Sequence, residues 1–347
     1  MAACDAQGGR KRGMNRGFIL GKFMPPHAGH AFLFRTALEL CPSLTILVCS
    51  TDSDEIDGAV RARWTRAVEP RAIVSHLHRN LPQTPEESPD FWPLWRTAIR
   101  ECFGDGFTHV FASEPYVFRL AEEMGAAPIL IDPAREAFPV SASAIRRAPA
   151  AHWRFIPPPV RPFFQKRLAL IGPESVGKST LANRLAAHFK TLVAPEYGRA
   201  YDQHYKQGGN WHADDLADLA RTHAAMRTAI AGEAGALLIE DTDALQTAVW
   251  SLHLTGEVSP ALAELERSSL ADHYLLLSPD VAWTQDGVRY AGDTGTRAFF
   301  FDEALRRLHV LGASFDVIDG GDFARRTERA LALASRRFPE AAACIAQ

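Results

Sequence analysis

The stretch Gly172-Pro173-Glu174-Ser175-Val176-Gly177-Lys178-Ser179 constrains this chain more than any other, because it fills every fixed position of the pattern G-x-x-x-x-G-K-[ST]. The apolar run RLALI enters it and the periodic run STLANRLAAHF leaves it, so it lies at a strand-to-helix turn. In that setting the glycines let the backbone curl until successive N–H groups face one set of phosphate oxygens, and the helix N-terminus adds its dipole. Lys178 is expected against the β- and γ-phosphates of ATP and Ser179 against Mg²⁺, with Gly172, Glu174, Ser175, Val176, Gly177 and Thr180 completing the cradle. Phosphoryl transfer follows from this element; the identity of the acceptor does not. No NKxD sequence stands downstream, which argues against a guanine nucleotide.

After the apolar run ALLIE come Asp241-Thr242-Asp243, carboxylates at the C-terminal end of an expected strand. A Mg²⁺-associated aspartate belongs there in such a sheet, and Asp241 is the better metal or base candidate. Asp243 reads equally well as the N-cap of the helix DALQTAVWSL. Residues 279–297, PDVAWTQDGVRYAGDTGTR, are rich in Gly, Asp and Arg and lie between an expected strand and helix. They read as a lid in which Arg289 or Arg297 neutralises the transferring phosphoryl group, or as a plain polar loop.

A second strand–loop–helix unit lies upstream, GFILGKFMPPHAGHAFLFRTALEL at residues 17–40. Its loop chemistry differs, so the two units are not a repeat. His27 and His30 are three apart on a first helical turn and share a face, with Gly29 keeping the space between them open. Such a pair can donate hydrogen bonds to a triphosphate as pyrophosphate departs, and Gly21, Lys22 and Phe23 belong to the same ATP-binding loop. A zinc site is the rival, but no further ligand stands at a recognisable spacing. About a hundred residues on, Ser141, Ser143 and Arg146 would grip phosphates at a helix start, although S-x-S-x-x-R is also an ordinary capping sequence.

At 347 residues, with 47 % hydrophobic and 23 % charged residues, the chain can bury two cores. Alternating apolar runs and helical patterns predict α/β architecture with parallel sheets in both halves. Strands are expected near 107–112, 128–131, 236–240, 273–277 and 315–318, and helices over 214–231, 243–254 and 298–309. The expected organisation is a short leader over 1–15, a Rossmann-like nucleotidyltransferase domain over 16–147, a proline-rich connector over 148–165 and a P-loop kinase domain over 166–347. A net charge of -3 provides no basic field for nucleic acid, no apolar run of roughly 18 residues predicts a membrane span, and the leader lacks the core of a signal peptide. Five scattered cysteines without a CxxC pair fit a reducing, cytoplasmic setting.

The order GKFMPPHAGH, FASEP, VSASAIRR, FIPPPVRPFF, GPESVGKST, PEYGRAY, DTDALQT, WTQDGVR covers nearly the whole chain. It resembles the bifunctional nicotinamide-nucleotide adenylyltransferase/ribosylnicotinamide kinase family, in the form without an N-terminal DNA-binding domain. A class I aminoacyl-tRNA synthetase shares only the first block and would carry a KMSKS-like loop, absent here. The resemblance implies that the C-terminal domain phosphorylates the 5′-hydroxyl of nicotinamide riboside with ATP. The N-terminal domain then joins the mononucleotide to the AMP moiety of a second ATP, giving NAD and pyrophosphate. It further implies that Trp92 and Trp95 occupy the place of nicotinamide-contacting aromatics, with one of the two serving in packing. Glu196, Arg199 and Tyr201 match a block near the riboside, and Trp283 would stack on the pyridinium ring. Ala144 departs from the larger polar residue common in relatives.

The adenylyl transfer needs no general base, since its nucleophile is an ionised phosphate; the kinase needs a carboxylate, for which Asp241 and Glu196 compete. The expected ligands are ATP, Mg²⁺, nicotinamide riboside, its mononucleotide and NAD; a homo-oligomer is compatible with the sequence. Two other readings are a single-activity kinase with a nucleotide-sensing N-terminal domain, and a ligand-gated regulator.

Overall fold

The computed structural model describes residues 15–281 and 293–343. Two compact units are formed: one runs to Arg147 and takes in Arg154–Val160, the other comprises Ala148–Trp153 and the chain from Arg161 onward. The proline-rich stretch 148–165 is thus shared out between the units. Its prolines leave only a 3₁₀ turn at Ala150–Phe155 and one helical turn at Arg161–Phe164.

In the first unit the strands are β1 (Arg16–Gly21), β2 (Ser43–Ser50), β3 (Ile73–His78), β4 (His109–Ala112) and β5 (Ala127–Leu130). The helices are α1 (Ala28–Leu40), α2 (Gly58–Val68), α3 (Phe91–Phe103), α4 (Tyr116–Met124) and α5 (Ala142–Arg147). The sheet order is β3-β2-β1-β4-β5, with every pairing parallel. A parallel sheet covered on both faces needs continuous apolar strands, and in β2 every residue from Leu44 to Ser50 is buried. Ile19, Phe34, Ile46 and Phe111 build the core on one face, and Phe18, Leu47, Val110 and Leu120 build the other. β1 sits in the middle, so the chain leaves it at the point where strand order reverses, the usual crevice for a ligand in such a sheet.

The second unit holds β6 (Lys166–Ile171), β7 (Val193–Ala194), β8 (Leu237–Asp241), β9 (His273–Leu277) and β10 (Phe315–Ile318), in the parallel order β10-β9-β6-β8-β7. Its helices are α6 (Arg161–Phe164), α7 (Lys178–His188), α8 (Gly198–Tyr201), α9 (Ala213–Ala231), α10 (Ala244–Thr255), α11 (Pro260–Ser268), α12 (Thr294–Val310), α13 (Phe323–Arg337) and α14 (Pro339–Ala343). Helix starts follow capping chemistry: Ser259 caps α11 with Pro260 at the first position, and Asp293 caps α12 through the Thr296 N–H. β6 is again central, and the register pairs Leu170 with Asp241 on β8. That pairing sets the Asp241 carboxylate beside the loop that follows β6.

No helix of the described residues is long and apolar enough to cross a membrane. Among the expected elements, the strands and helices listed from the apolar runs all occur, with shifts of a few residues at their ends.

Candidate active sites

The loop after β6 is built on glycines that no other residue replaces. Gly172 has φ 137°, and a Cβ there would lie 2.6 Å from the Leu277 carbonyl oxygen on β9. Gly177 has φ 88°, with the Phe323 ring 2.6 Å from the place a Cβ would take. Ser175 also adopts a left-handed backbone, φ 60°. The Lys178 ammonium donates to the carbonyls of Gly172 (3.0 Å) and Pro173 (2.7 Å), so the loop wraps its own cation. Val176 is buried in the core, whereas Glu174, Ser175, Gly177, Ser179 and Thr180 face a cavity of about 930 Å³.

Facing the loop across this cavity are Glu196, Arg199 and Asp241. Asp241 is buried, with burial the main cause of a raised carboxyl pKa, opposed by a hydrogen bond from Ser179 and by the Lys178 and Arg199 charges. Its Oδ1 has no protein partner. Glu196 is raised too, first by desolvation and also by Asp241, while Lys178 pulls it down. Two carboxylates of raised pKa beside one lysine suit a proton-accepting, metal-assisted phosphoryl transfer. Among the described residues no group of three or more His, Cys, Asp or Glu side chains could hold a metal by itself. Magnesium beside nucleotide phosphates needs only one or two protein oxygens, and the Ser179 hydroxyl with the unpartnered Asp241 oxygen suits it.

Asp243 is a structural residue. It caps α10, accepting from the Leu245 and Gln246 N–H groups, and takes a 2.6 Å bond from the Tyr274 hydroxyl. Burial and then Glu240 push its carboxyl up to about 6. Between the two aspartates Thr242 has φ 71°, an unfavourable backbone for a β-branched residue, held at the cavity wall. Tyr201 does not line the cavity: its ring stacks on Trp211 at 5.7 Å, and Trp211 itself faces the cavity. Arg297 lies in the first turn of α12, buried, with both terminal nitrogens donating to the Val281 carbonyl at 3.1 Å. It therefore braces the chain entering 282–292 and takes no part in the cavity wall. Trp283 and Arg289 lie outside the described residues.

In the first unit, His27 is the N-cap of α1. Its Nδ1 accepts from the Gly29 N–H (3.2 Å), and the His30 Nδ1 accepts from the His27 N–H (3.3 Å). The rings stack at 3.8 Å. With each Nδ1 accepting, the proton of each neutral ring is on Nε2, leaving two parallel donor edges. Burial and then Arg135 lower His27 to about 4, and burial, His27 and Arg135 hold His30 well below the ordinary histidine value. Both rings are therefore neutral donors at pH 7. Gly21 is packed by the Phe23 ring, which meets His30 edge-on at 5.0 Å. Lys22 pairs with Asp54 at 2.8 Å. Arg146 reaches this loop, donating to the Met24 carbonyl at 2.5 Å and pairing with Glu55 at 2.8 Å.

Other expectations change. Ser141 Oγ accepts from the Ala144 N–H (3.1 Å), so it caps the short helix α5, and it lies 3.0 Å from Ser143 Oγ. Trp95 is a core residue, 4 % exposed, with its indole N–H donated to the Pro82 carbonyl. Trp92, in the first turn of α3, is half-buried against the core and remains the one of the two able to meet a ligand. Sequence reading missed Asp54, Arg61, Arg135 and Gln246. Each acts through contacts between segments far apart in the chain, and no spacing rule marks them.

Comparison with known proteins follows the same two halves. An AAA domain family model matches residues 167–326. The "Trifunctional NAD biosynthesis/regulator protein NadR" of Salmonella typhimurium strain LT2 is 27 % identical over 351 residues, covering 95 % of this chain and 85 % of that protein. The protein of the same description from Escherichia coli K12 is 27 % identical, covering 93 % of this chain and 83 % of its own. A crystal structure of NadR in complex with NR superposes with a TM-score of 0.74 at 22 % identity, over 94 % of this chain and 96 % of that one. A second, in complex with NAD and AMP-PNP, gives 0.71 at 22 % identity, over 94 % and 97 %. The chain is NadR-like over both halves, and its fold is that of those structures.

Proposed function

We propose that this chain makes NAD in two steps, one in each unit. In the second unit ATP phosphorylates the 5′-hydroxyl of nicotinamide riboside; in the first, the resulting mononucleotide attacks the α-phosphorus of a second ATP. The observation that carries the kinase reading is the single cavity of about 930 Å³ walled on one side by Lys178 and Ser179 and on another by Glu196 and Asp241. Such a volume suits a triphosphate tail together with a small acceptor. Support for the nucleoside as acceptor comes from the NadR relatives, described as NAD biosynthesis proteins, and from the NadR structure with NR.

In the kinase, Lys178 and the loop N–H groups bind and neutralise the phosphates. Magnesium would be held by Ser179 and Asp241 and supplies further charge neutralisation there. Glu196 or Asp241 orients the hydroxyl and takes its proton, which leaves as the new P–O bond forms and the γ-phosphate separates from ADP. Arg199 lines the same cavity and would face the acceptor.

In the adenylyl transfer no proton needs removing. A phosphate oxygen of the mononucleotide forms the new P–O bond, and the bond to the β-phosphate breaks to release pyrophosphate. His27 and His30 offer Nε2–H donors to the charge that develops, and Lys22 with Arg146 supplies positive charge at the same loop. Trp92 is the ring we assign beside the nicotinamide. We place the enzyme in the cytoplasm, a reducing setting that fits its scattered cysteines.

Incubating the protein with Mg-ATP and nicotinamide riboside, with product analysis, tests both steps. Mononucleotide followed by NAD is expected. Mononucleotide alone would reduce the first unit to a nucleotide sensor, and neither product would end the proposal.

A further inference from the structure

Gln246 lies in the first turn of α10, where it is 1 % exposed yet contributes to the cavity wall. Its side-chain oxygen accepts the Gly172 N–H at 2.8 Å, a bond between α10 and the first residue of the phosphate loop. Because the backbone group is a donor, only the carbonyl end of the carboxamide can face it, and the NH₂ end is turned the other way. That nitrogen is buried and has no partner in the protein. A buried amide donor left without a partner is costly, so an acceptor is expected to arrive with a ligand.

The same cavity holds a second buried orphan, Asp241 Oδ1, the oxygen suited to magnesium. A neutral hydroxyl oxygen can accept from the Gln246 amide without placing a further negative charge in a cavity that already holds this carboxylate. Phosphate oxygens could also accept from the Gln246 amide, but the phosphate side is already served by Lys178 and the loop N–H groups.

We infer that Gln246 is an acceptor-binding residue of the kinase, donating its amide N–H to a ribosyl hydroxyl oxygen while its other end locks the phosphate loop. One carboxamide thereby ties the acceptor to the first glycine of the ATP cradle. This rests on the kinase reading above and adds to it the side chain that recognises a hydroxylated sugar.

Two variants separate the two ends of the side chain. Gln246→Glu keeps an oxygen for Gly172 and loses the donor; Gln246→Met loses both and stays apolar, which guards against misfolding from a buried charge. Steady-state kinetics of riboside phosphorylation should show KM for nicotinamide riboside raised roughly tenfold or more in both variants, and KM for ATP raised only in Gln246→Met. Ribosides lacking one hydroxyl supply the second arm. The analogue missing the contacted hydroxyl should lose at least about tenfold in kcat/KM with the wild type and nothing further with Gln246→Met. Unchanged riboside KM in both variants, or analogue losses that are the same in wild type and Gln246→Met, would overturn the assignment and leave Gln246 as a brace for Gly172. Should the wild type not phosphorylate the riboside at all, it is the kinase reading that fails, so the two failures are told apart.

Discussion

The Lys22 ammonium stands 2.8 Å from Asp54, and the other oxygen of that carboxylate takes a 2.5 Å bond from the fully buried Arg61. Arg61 also donates to the Lys22 carbonyl and to the carbonyls of Cys49 (3.1 Å) and Ile56 (2.8 Å). The loop after β1, the end of β2 and the start of α2 are thus pinned around one guanidinium. The Asp54 carboxyl is held below its ordinary range by Lys22, the Thr51 N–H and Arg61, against the opposing effect of burial. Asp54 acts as a positioning residue for Lys22. Asp54→Asn should therefore lower kcat/KM for NAD synthesis about tenfold or more, and should have little further effect in a Lys22→Ala background. Additive losses in that double-mutant cycle would mean that Asp54 serves the fold and not the lysine.

The two activities should be separable by point substitution. Lys178→Ala removes the cation of the phosphate loop, so phosphorylation of the riboside should fall by about 10³ or more while NAD formation from the mononucleotide is retained. His30→Ala should do the reverse. Separate assays of mononucleotide and pyrophosphate release check this, and loss of both activities in a folded variant would contradict a two-site enzyme.

Much of this was legible beforehand for a definite physical reason. Apolar strands buried on both faces and glycines in left-handed turns are written locally, so β1, β6 and the two loops that leave them could be read from short segments. Local rules also leave two readings open. Ser141 and Ser143 look like phosphate ligands, but a hydroxyl at a helix start equally well satisfies the helix, and here Ser141 caps. Trp95 in an aromatic run looks like a ring platform and is instead packed in the core. Asp54, Arg61, Arg135 and Gln246 were invisible because their partners come from other strands or loops. Gln246 and Gly172 are 74 residues apart.

Backbone geometry gives a stability test. Gly172→Ala places a Cβ 2.6 Å from the Leu277 carbonyl, a backbone atom that cannot rotate away, at φ 137°. Gly177→Ala meets the Phe323 ring, a side chain that can move. Gly172→Ala should cost about 3 kcal/mol or more, and Gly177→Ala less. Adding Phe323→Ala should recover part of the Gly177→Ala loss, leaving the portion due to φ 88°. Urea unfolding of the full chain, with the transition of each unit followed separately, measures the order.

Acid should weaken the first unit through its histidines. His27 falls to about 4 in the folded chain against 6.5 unfolded, so the unfolded chain takes up the proton first as pH drops. His30 shifts in the same direction. Stability is complete above about 6.5 and is lost as pH falls from there toward 4. Thermal unfolding between pH 7 and 4.5 should show a slope for the first unit that Asn in place of His27 reduces. An unaltered slope in that variant would place the acid sensitivity elsewhere.

The proton acceptor of the kinase can be told from its metal-facing carboxylate by pH. Glu196 and Asp241 are both raised, chiefly by desolvation, so each is protonated at a pH where an ordinary carboxylate is ionised. The rate should therefore rise with pH along a limb displaced upward from the ordinary carboxylate range. The two differ in surroundings: Asp241 carries the Ser179 bond and the orphan oxygen suited to magnesium, whereas Glu196 lies between Lys178, Arg199 and His223. Asp241→Asn should raise the magnesium concentration needed for half-maximal rate by about tenfold or more. Glu196→Gln should leave the magnesium requirement near normal, lower kcat by about 10² or more and flatten the acid limb. An acid limb that survives in Glu196→Gln and disappears in Asp241→Asn would transfer the proton-accepting role to Asp241, joining base and metal ligand in one side chain.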